Sequence, residues 1–515
     1  LSGLVGSEMC IRDSSRLCSG SSAATNTSSS AWVTRYDGGP YTTAHTWTDV
    51  YNSWTTTTSA TKADTGSILG MTWDPSTGRV FHSAYVRRHA EMYEVGGVPA
   101  PGAIFVTTPT GTSSTAGVGG TTSFLVDLET LMAGDQFSNS SSSGPGYIPS
   151  NSARKLQYFM DGTSDGGAEN DGVDSDLITG KDGVFEEVGR AGIGDIENDG
   201  NGNLFIVSMY DKNLYKVIVP KTGSPTSMSS LGDISSGVSC TNGNARPFSV
   251  KLWREALYLG VICDGESDFN PSSPQTIADT NLTFTIRKYD LSTSSWSTFF
   301  GPQALTAAGG VHKGRADTRY SVATYNVWNP WTTTYNNSSV DSGGNGYYWT
   351  RPQPMLSEIE FDRDGSMVLS FRDRNGDILG TSGSETPDGG YGMFPSLASG
   401  DLYRVCRTGS GYSSSDYVFE GGTGCAQTTN TNHGTEYYWG DYWYDTTHTG
   451  HGETSVGLSE LVPGFPELLE SAYDPKDGDS TGKTFYAGGV RSFLNSTGAP
   501  SGTPNTGSGV IFYAW

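Results

Sequence analysis

The stretch that decides the fold is residues 191–218, which read AGIGDIENDGNGNLFIVSMYDKNLYKVI. Three short runs rich in apolar, β-branched or aromatic residues (IGDIE, LFIVSMY and LYKVI) alternate with the polar turns DGNGN and DKN. This pattern is typical of antiparallel strands joined by tight turns. Because one such small sheet cannot bury both of its faces alone, the pattern predicts further copies elsewhere in the chain.

The same pattern recurs along the chain. In each copy a strand ends at a turn that contains Asp and Gly, a second strand follows, and a loop of variable length leads to a third strand. The five copies lie in residues 67–107, 191–218, 245–291, 356–406 and 468–515. The residue pairs that align in the turns are Asn198-Asp199, Trp73-Asp74, Phe361-Asp362 and Tyr473-Asp474.

Repeated multi-strand units indicate a radial or linear array, because each sheet must be covered by its neighbours. Closing the array into a ring leaves only short, protected sheet edges. The sequence therefore predicts an all-β protein, a β-propeller of about six or seven antiparallel blades. Five are recognisable, and one or two divergent blades have room in 109–185 and 300–350. A β-helix is the alternative, although its coils are shorter and more regular.

Composition limits the class of partner. The chain has 515 residues, 69 of them Gly, and a formal charge of −23. A nucleic-acid-binding protein needs a clustered basic face, so this balance argues against nucleic acid. No apolar run approaches the eighteen or so residues of a membrane span. We expect self-association, other surface proteins or glycans as partners.

Three segments are predicted. Residues 1–14 (LSGLVGSEMCIRDS) resemble a translated sequencing-adapter read-through, so we expect them to be foreign to the natural protein and the true N-terminus to be missing. Residues 15–64 are rich in Ser, Thr and aromatic residues and are interpreted as a flexible or extended arm. Residues 65–515 are predicted to form a single propeller domain.

Cysteines and glycosylation motifs indicate the compartment. Two cysteine pairs about twenty residues apart flank predicted strands, which predicts the disulfides Cys240–Cys263 and Cys406–Cys425. The chain contains no CxxC motif, so its cysteines do not indicate a zinc site. Asn-x-Ser/Thr acceptors for N-glycans occur at Asn26, Asn139, Asn281, Asn336, Asn337 and Asn495. Together these features favour an extracellular protein, secreted or at the cell surface.

A resemblance agrees with this interpretation. GRVFHSAYVRRHAEM, GIGDIENDGNGNLFIVSMYDKNLYKV, RPFSVKLWREALYLGVICD, RPQPMLSEIEFDRDGSMVLSFRDRNGD and TFYAGGVRSFLNSTG resemble, in this order, the propeller region of bacterial SdrD B-like domain-containing surface proteins. The resemblance covers about residues 65–515. It implies an extracellular propeller and no known catalytic residues.

The first strand of each blade lines the channel of a propeller, so Asp195 and Glu358, at equivalent repeat positions, are candidates to face it together. A basic set follows near the ends of second strands: Arg87, Arg88, His89, Arg372, Arg374 and Arg491. Either these groups form a ring of charge that binds a ligand, or the carboxylates and guanidiniums pair with one another and fix the blades. Structural ion networks commonly imitate sites, which favours the second interpretation.

Three other segments carry candidate ligands. The loop 161–176 has carboxylates suited to Ca²⁺, a possible cofactor; they are Asp161, Asp165, Glu169, Asp171, Asp174 and Asp176. The blade turns at Asp199 and Asp362 are weaker calcium candidates, since Asp and Gly also simply favour hairpin turns. His448, His451 and Glu453 offer transition-metal ligands, but their spacing in a Gly- and Thr-rich loop has little geometric force, which favours a polar loop without metal. Aromatic segments at 325–331, 347–349 and around Trp439 suit either sugar stacking or burial between blades.

No GxSxG motif is present. We therefore rank three functions. The first is a non-catalytic structural or adhesive propeller, whose finer form is the subunit of a glycosylated fibre that uses residues 15–64 for strand exchange. The second is a lectin-like, carbohydrate-binding propeller. The third is a secreted hydrolase or lyase whose turnover depends on Asp195 or Glu358.

Overall fold

The structure is a computed structural model. It describes residues 4–6, 29–33, 57–88, 90–110, 119–141, 143–154, 184–269, 281–305, 328–332, 352–379, 400–425, 436–438, 455–461, 466–473, 488–500 and 510–513.

Five antiparallel sheets form the blades of a β-propeller, which confirms the predicted fold. Blade 1 consists of β4 (Ile68–Asp74), β5 (Arg79–Ala84), β8 (Ala103–Thr110) and β9 (Gly119–Asp127), with the small hairpin β6 (Glu94–Val95) and β7 (Val98–Pro99) between its second and third strands. Blade 2 consists of β10 (Ile193–Asn198), β11 (Asn203–Ser208), β12 (Asn213–Ile218) and β13 (Met228–Asp233). Blade 3 consists of β14 (Ala245–Trp253), β15 (Ala256–Cys263), β16 (Thr283–Asp290) and β17 (Ser295–Ala304).

Blade 4 consists of β18 (Pro354–Phe361), β19 (Met367–Asp373), β20 (Asp401–Arg407) and β21 (Tyr417–Phe419), with helix α2 (Arg374–Leu379) after its second strand. Blade 5 consists of β22 (Ser455–Leu461), β23 (Glu467–Tyr473) and β24 (Gly488–Leu494), and the outer edge of β24 is shared by β25 (Ala499–Pro500) and β26 (Val510–Tyr513). Blades 1 to 4 match the first four repeats of the sequence. The fifth repeat was aligned one strand out of register, because Tyr473 ends the second strand of blade 5 and the first strand, β22, lies before residue 468. The stretches expected to hold further blades lie mostly outside the described residues; β9 and β17 reach into them and complete blades 1 and 3.

In blades 1, 2 and 4, Asp side chains close the hairpin turn between the first and second strands, whereas the corresponding turn of blade 3 is Arg254-Glu255 and lacks the predicted Asp. Asp199 Oδ1 accepts hydrogen bonds from the backbone N–H groups of Asn201 (2.8 Å) and Asn203 (3.1 Å). Asp74 does the same for Ser76 at 2.9 Å. Such turn geometry is what Asp offers the backbone. We call the side of the propeller that carries these turns the turn face.

The first strands of successive blades lie side by side around the axis, in the order β4, β10, β14, β18 and β22. All five carry a register shift at a small residue. These residues are Gly70, Gly194, Ser249, Ser357 and Gly457. A Cβ on Gly194 would meet the carbonyl oxygen of Phe248 in the next blade at 2.5 Å. Close approach of neighbouring backbones therefore explains the small residues that recur in the repeat.

Apolar side chains fill the spaces between blades. On blade 1, Phe81 and Ile104 pack with Ile196 of blade 2, whereas Phe105 faces the opposite side and packs with Ala60. Because neighbouring residues of a strand point to opposite faces, blade 1 is covered on both sides.

A three-stranded antiparallel sheet covers the second face of blade 1. It contains β1 (Leu4–Gly6), β2 (Ser29–Val33) and β3 (Thr57–Thr61), and is followed by helix α1 (Lys62–Thr65). Strand β1 contacts β4 and strand β3 contacts β9, so the sheet runs from the axis outward as a blade does. The segment interpreted as an arm thus contributes two strands that pack on its own chain, and β1 lies within residues 1–14.

Both predicted disulfides are present. Cys240 bonds Cys263 and Cys406 bonds Cys425, and the described part of the chain has no free cysteine. The first disulfide ties the segment before β14 to the end of β15, and the second ties β20 to the segment after β21. Within the described residues, no helix has the length and apolar character to cross a membrane.

Candidate functional site: the polar channel

One residue from each first strand forms a polar ring in the channel. The five residues are Thr72, Glu197, Lys251, Glu360 and Glu460, which pair with Phe81, Phe205, Tyr258, Val368 and Leu469 of the second strands. The matching register of these pairs places the five residues at one level of the channel. The ring carries three carboxylates and a single ammonium group, so its formal charge is negative.

Members of the ring bond to one another. The Lys251 Nζ donates to Glu360 Oε1 at 2.5 Å, and this pair joins blade 3 to blade 4. Asn198, the neighbour of Glu197, donates its backbone N–H to Thr72 Oγ1 at 3.1 Å, which joins blade 2 to blade 1. Glu360 is only 4% exposed, whereas Glu460 is exposed on the turn-face side of the channel. The ring therefore connects adjacent blades and opens to solvent near blade 5.

Asp195 and Glu358 lie one level below this ring. The two are electrostatic neighbours, since Asp195 is among the groups that raise the pKa of Glu358. Asp195 is 3% exposed and Glu358 is half-buried. The prediction that these two residues share the channel agrees with this geometry.

The blade 2 carboxylates accept hydrogen bonds from the backbone of blade 3. Asp195 Oδ2 accepts from Val250 N at 3.0 Å and its Oδ1 accepts from Ile196 N at 2.7 Å. Glu197 Oε1 accepts from Leu252 N at 3.3 Å. A first strand has no strand partner on its axial side, and a buried N–H left unpaired is costly. The two carboxylates satisfy that free edge.

Burial controls the protonation of these acids. It raises the pKa of Asp195 to about 8, with a further contribution from Glu197, although hydrogen bonds from Val250 and Ile196 act in the opposite direction. Burial, and then Asp195, raise the pKa of Glu358 well above its ordinary value. The pKa of Lys251 also lies well above its ordinary value, because attraction to Glu360 and Glu197 outweighs the opposing effect of burial. At neutral pH the channel therefore holds a charged lysine and an Asp195 carboxyl that retains its proton.

A buried ion network closes the other end of the channel. Asp377 accepts from Arg372 Nε at 2.5 Å and Nη2 at 2.7 Å, from the hydroxyl of Tyr85 at 2.9 Å, and pairs with Arg87 Nε at 3.0 Å. Burial would raise the pKa of Asp377, but Arg372 and Arg87 hold it below the ordinary value. Tyr85 and Arg87 follow β5 of blade 1, while Arg372 and Asp377 belong to blade 4. The network therefore joins two non-adjacent blades.

The other predicted basic residues also have partners inside the protein. Arg374 donates to the carbonyl oxygen of Val188 at 2.7 Å and to Gln353 Oε1 at 2.7 Å. The guanidinium of Arg88 lies 4.9 Å from the ring centroid of Phe185. Arg491 lies opposite the buried Glu470 in the strand pair β23–β24.

Pairing between blades thus explains the described basic residues better than a ligand-binding ring does. Arg87 and Arg372 both pair with Asp377, and in the described part of the chain neither Asp195 nor Glu358 forms an ion pair with them. His89 lies outside the described residues.

Metal candidates fall into two groups. The loop 161–176 (Asp161, Asp165, Glu169, Asp171, Asp174, Asp176), and also His448, His451 and Glu453, lie outside the described residues. Within the described ranges, no group of three or more His, Cys, Asp or Glu residues is arranged to hold a metal ion. At the turns, Asp199 and Asp362 accept hydrogen bonds from their own hairpins or from Arg404, which agrees with a turn role.

Predicted aromatic platforms are buried where they are described. Trp328 donates its indole N–H to the hydroxyl of Tyr403 at 3.0 Å, and Trp331 donates to the carbonyl of Pro354 at 2.8 Å. Both are at most 2% exposed. They are therefore packing residues, while 347–349 and Trp439 lie outside the described residues.

The described glycosylation motifs differ in access. Asn139 and Asn281 are half-buried, and each donates its side-chain amide to an oxygen nearby. Asn495 is 6% exposed, and its Oδ1 accepts from Tyr438 at 2.6 Å and from Arg404 at 2.8 Å. Folding around Asn495 leaves little room for a glycan. Asn26, Asn336 and Asn337 lie outside the described residues.

Sequence reasoning missed Glu197, Lys251, Glu360 and Glu460. Aligning the repeats on the residue two to three positions before each turn would have found them, since all four alternate with apolar residues on first strands. Asp377 gave no such signal because two of its partners, Tyr85 and Arg87, lie in a different repeat.

No family model matches the chain. Colossin-C of Dictyostelium discoideum is 25% identical over 193 residues, which are 37% of this chain and 16% of Colossin-C. The chain thus spans less than a fifth of that relative's length.

Two solved structures are similar to the chain. A luciferin-regenerating enzyme has 10% identity and a TM-score of 0.23, covering 58% of this chain and 76% of its own. A protein from Lactobacillus plantarum has 8% identity and a TM-score of 0.35, covering 92% and 98%. At these TM-scores neither structure adds to the assignment.

Proposed function

We propose that this chain is a non-catalytic, extracellular β-propeller with a structural or adhesive role at a cell surface. The observation that carries this proposal is that the channel acids have structural partners: Asp195 and Glu197 accept backbone N–H groups of blade 3, and Glu360 binds Lys251. A catalytic acid or base needs to reach a substrate proton, whereas these groups are engaged within the protein. The weak similarity to Colossin-C is compatible with such a role and does not define it.

The two disulfides support an oxidising compartment, since such bonds rarely persist in the cytosol. The resemblance to SdrD B-like domain-containing surface proteins points in the same direction. N-glycans at accessible acceptors, Asn139 among them, belong to the same proposal.

Bead adhesion tests this function. The full chain is attached to beads, and attachment of the beads to one another and to a mucin-coated surface is measured. We expect adhesion in at least one arm, and equal adhesion by the double variant Asp195→Asn/Glu358→Gln. No adhesion in either arm, or hydrolysis or lyase activity on polysaccharides that the double variant loses, would contradict the proposal.

Self-assembly through the N-terminal segment is the finer form of this proposal. Because β2 and β3 pair with each other and Ala60 packs on blade 1, truncation of all residues 15–64 would damage the propeller itself. Shortening the connection 34–56 spares both strands. If this connection mediates assembly, the shortened chain should elute as a smaller species in size-exclusion chromatography; an unchanged elution volume would rule that version out.

A further inference from the structure

A strained two-residue turn on the turn face presents an arginine at the boundary between blades 3 and 4. Arg254 and Glu255 join β14 to β15 and have φ values of +49° and +61°. Two successive left-handed residues define a type I′ hairpin turn, for which Asn-Gly is strongly preferred. Neither residue here is Gly, so the turn costs free energy that Gly would avoid. Strain of this kind is found most often where the side chain has a task.

Aromatic rings hold the guanidinium of Arg254 in place. Its central carbon lies 4.5 Å from the ring centroid of Trp253 and 4.1 Å from that of Tyr412. Trp253 is itself stacked on Phe361 at 4.3 Å with an interplanar angle of 3°. Arg407 lies over the ring of Tyr412 at 4.2 Å. Side chains of two blades therefore fix the position of one exposed arginine, at little further cost in entropy on binding.

The hydrogen-bond donors of Arg254 are free of protein partners within the described residues. Arg407 shows the contrast, since it donates to the carbonyl oxygens of Gly411, Ser410 and Asp364. Arg254 forms neither a hydrogen bond nor an ion pair with the described part of the chain, and it is exposed. A guanidinium with its face on aromatic rings and its donor edge in solvent matches the planar oxyanion of a carboxylate, or a sulfate.

We propose that Arg254 and Tyr412 form a binding site for an acidic glycan, whose carboxylate or sulfate group pairs with the guanidinium of Arg254. This inference rests on the proposed adhesive function and names its ligand class.

The surroundings favour a sugar over a peptide. Of the large apolar side chains that are exposed in the described ranges, only Tyr412 (37% exposed) belongs to this patch, so a peptide would find no further apolar anchor. The segment around Tyr412 is Gly- and Ser-rich (Gly409 to Ser415), and its polar groups suit sugar hydroxyls. The chain's charge of −23 disfavours a densely charged polyanion such as nucleic acid. A glycan with isolated acidic groups separated by hydroxyls fits a single preorganised arginine.

Surface plasmon resonance with the full chain tests the site. The immobilised probes are hyaluronate, which carries carboxylates only, its carboxyl-reduced neutral form, chondroitin sulfate, and a polyglutamate peptide. We expect hyaluronate or chondroitin sulfate to bind at least about tenfold more tightly than the reduced form. The two acidic probes distinguish carboxylate from sulfate recognition.

Variants then assign the binding to Arg254. Arg254→Gln should weaken acidic-glycan binding about tenfold, and Arg254→Lys should weaken it less because it keeps the charge without the planar fork. Arg363→Gln is the matched control: Arg363 is an exposed arginine on the corresponding turn of blade 4, and its loss should change affinity less than about twofold. Circular dichroism melting curves confirm that each variant is folded.

Several outcomes overturn the inference. These are equal binding of acidic and neutral probes, unchanged binding by Arg254→Gln, an equal loss with Arg363→Gln, or tighter binding of polyglutamate than of both glycans.

The bead assay separates this inference from the proposed function. If wild-type beads adhere and Arg254→Gln beads adhere equally well, the glycan site is refuted while adhesion stands. If wild-type beads do not adhere but the soluble chain binds acidic glycans through Arg254, adhesion is refuted while the site stands.

Discussion

Asp377→Asn tests whether the buried ion network links blades 1 and 4. Asp377 receives two bonds from Arg372, one from Tyr85 and an ion pair from Arg87, and its side chain is 1% exposed. Removing one partner of a buried ion pair costs about 3–5 kcal/mol, because the remaining charge is left uncompensated. Asparagine has nearly the same shape but leaves two guanidiniums without a carboxylate, so we expect a loss in the upper half of that range.

The assay is equilibrium unfolding in urea with the disulfides intact, followed by tryptophan fluorescence. Asp364→Asn is the control in the same blade: Asp364 is 58% exposed and lies 3.8 Å from Arg404, so its replacement should change the free energy of unfolding by less than about 1 kcal/mol. A loss below about 1 kcal/mol for Asp377→Asn would refute the assignment of Asp377 as the link between the blades.

The remaining predictions concern protonation, strain and glycosylation. Because the folded pKa of Asp195 is about 8 and the unfolded value about 3.8, the folded state holds a proton that the unfolded state releases between these pH values. The contribution of Asp195 to the free energy of unfolding therefore falls by up to about 1.4 kcal/mol per pH unit from pH 4 to 8. In urea titrations across this window, the free energy of unfolding of Asp195→Asn should rise relative to that of the wild type. A difference between the two proteins that stays constant with pH would contradict the raised pKa. Glu255→Gly should raise the free energy of unfolding by about 1 kcal/mol by relieving the left-handed strain, and a destabilised variant would refute that source of strain. After secretion from a eukaryotic host, intact-glycopeptide mass spectrometry should find Asn139 occupied and Asn495 unmodified; full occupancy of Asn495 in the folded protein would refute its burial.

The features of the repeat that could be predicted from the sequence are those formed between residues close together in the chain. Asp74 and Asp199 each accept a hydrogen bond from the backbone N–H of a residue two positions later, and this bond closes the hairpin. A short segment of sequence is therefore enough to predict the turn and the strands on either side of it. The disulfide between Cys406 and Cys425 is equally local. These features predicted the all-β propeller and four of its five described blades in the correct register, while the fifth copy missed the first strand of its blade, β22.

Features that depend on contacts between blades were harder to predict. Lys251 and Glu360 meet only because first strands lie side by side, and their pairing needs the register of two repeats at once. Asp377 meets Arg87 across the closed end of the channel, through segments that the repeat does not share. Arg87 and Arg372 were predicted to pair with carboxylates and do so, but their shared partner Asp377 was not among the predicted acids.

The turn at Arg254 shows a third limit. The segment Trp-Arg-Glu-Ala (253–256) contains neither the Asn nor the Gly that indicates a type I′ turn, so the backbone strain could not be predicted from the sequence. The stacking of Arg254 on Tyr412 could not be predicted either, because Tyr412 belongs to another blade. Tertiary packing overrides local preference at this position. Arg254, one of the two residues that break the local rule, also leaves its hydrogen-bond donors unused within the described residues.

The most direct test of the central claim is the adhesion of beads that carry Asp195→Asn/Glu358→Gln, compared with wild-type beads at pH 7. Burial raises the pKa of Asp195 to about 8 and that of Glu358 well above its ordinary value, so neutral amides are the closest uncharged replacements for the two side chains. If the channel is structural and the protein is an adhesin, the two sets of beads adhere equally. A folded double variant whose adhesion falls about tenfold would place the function in the channel and contradict the account.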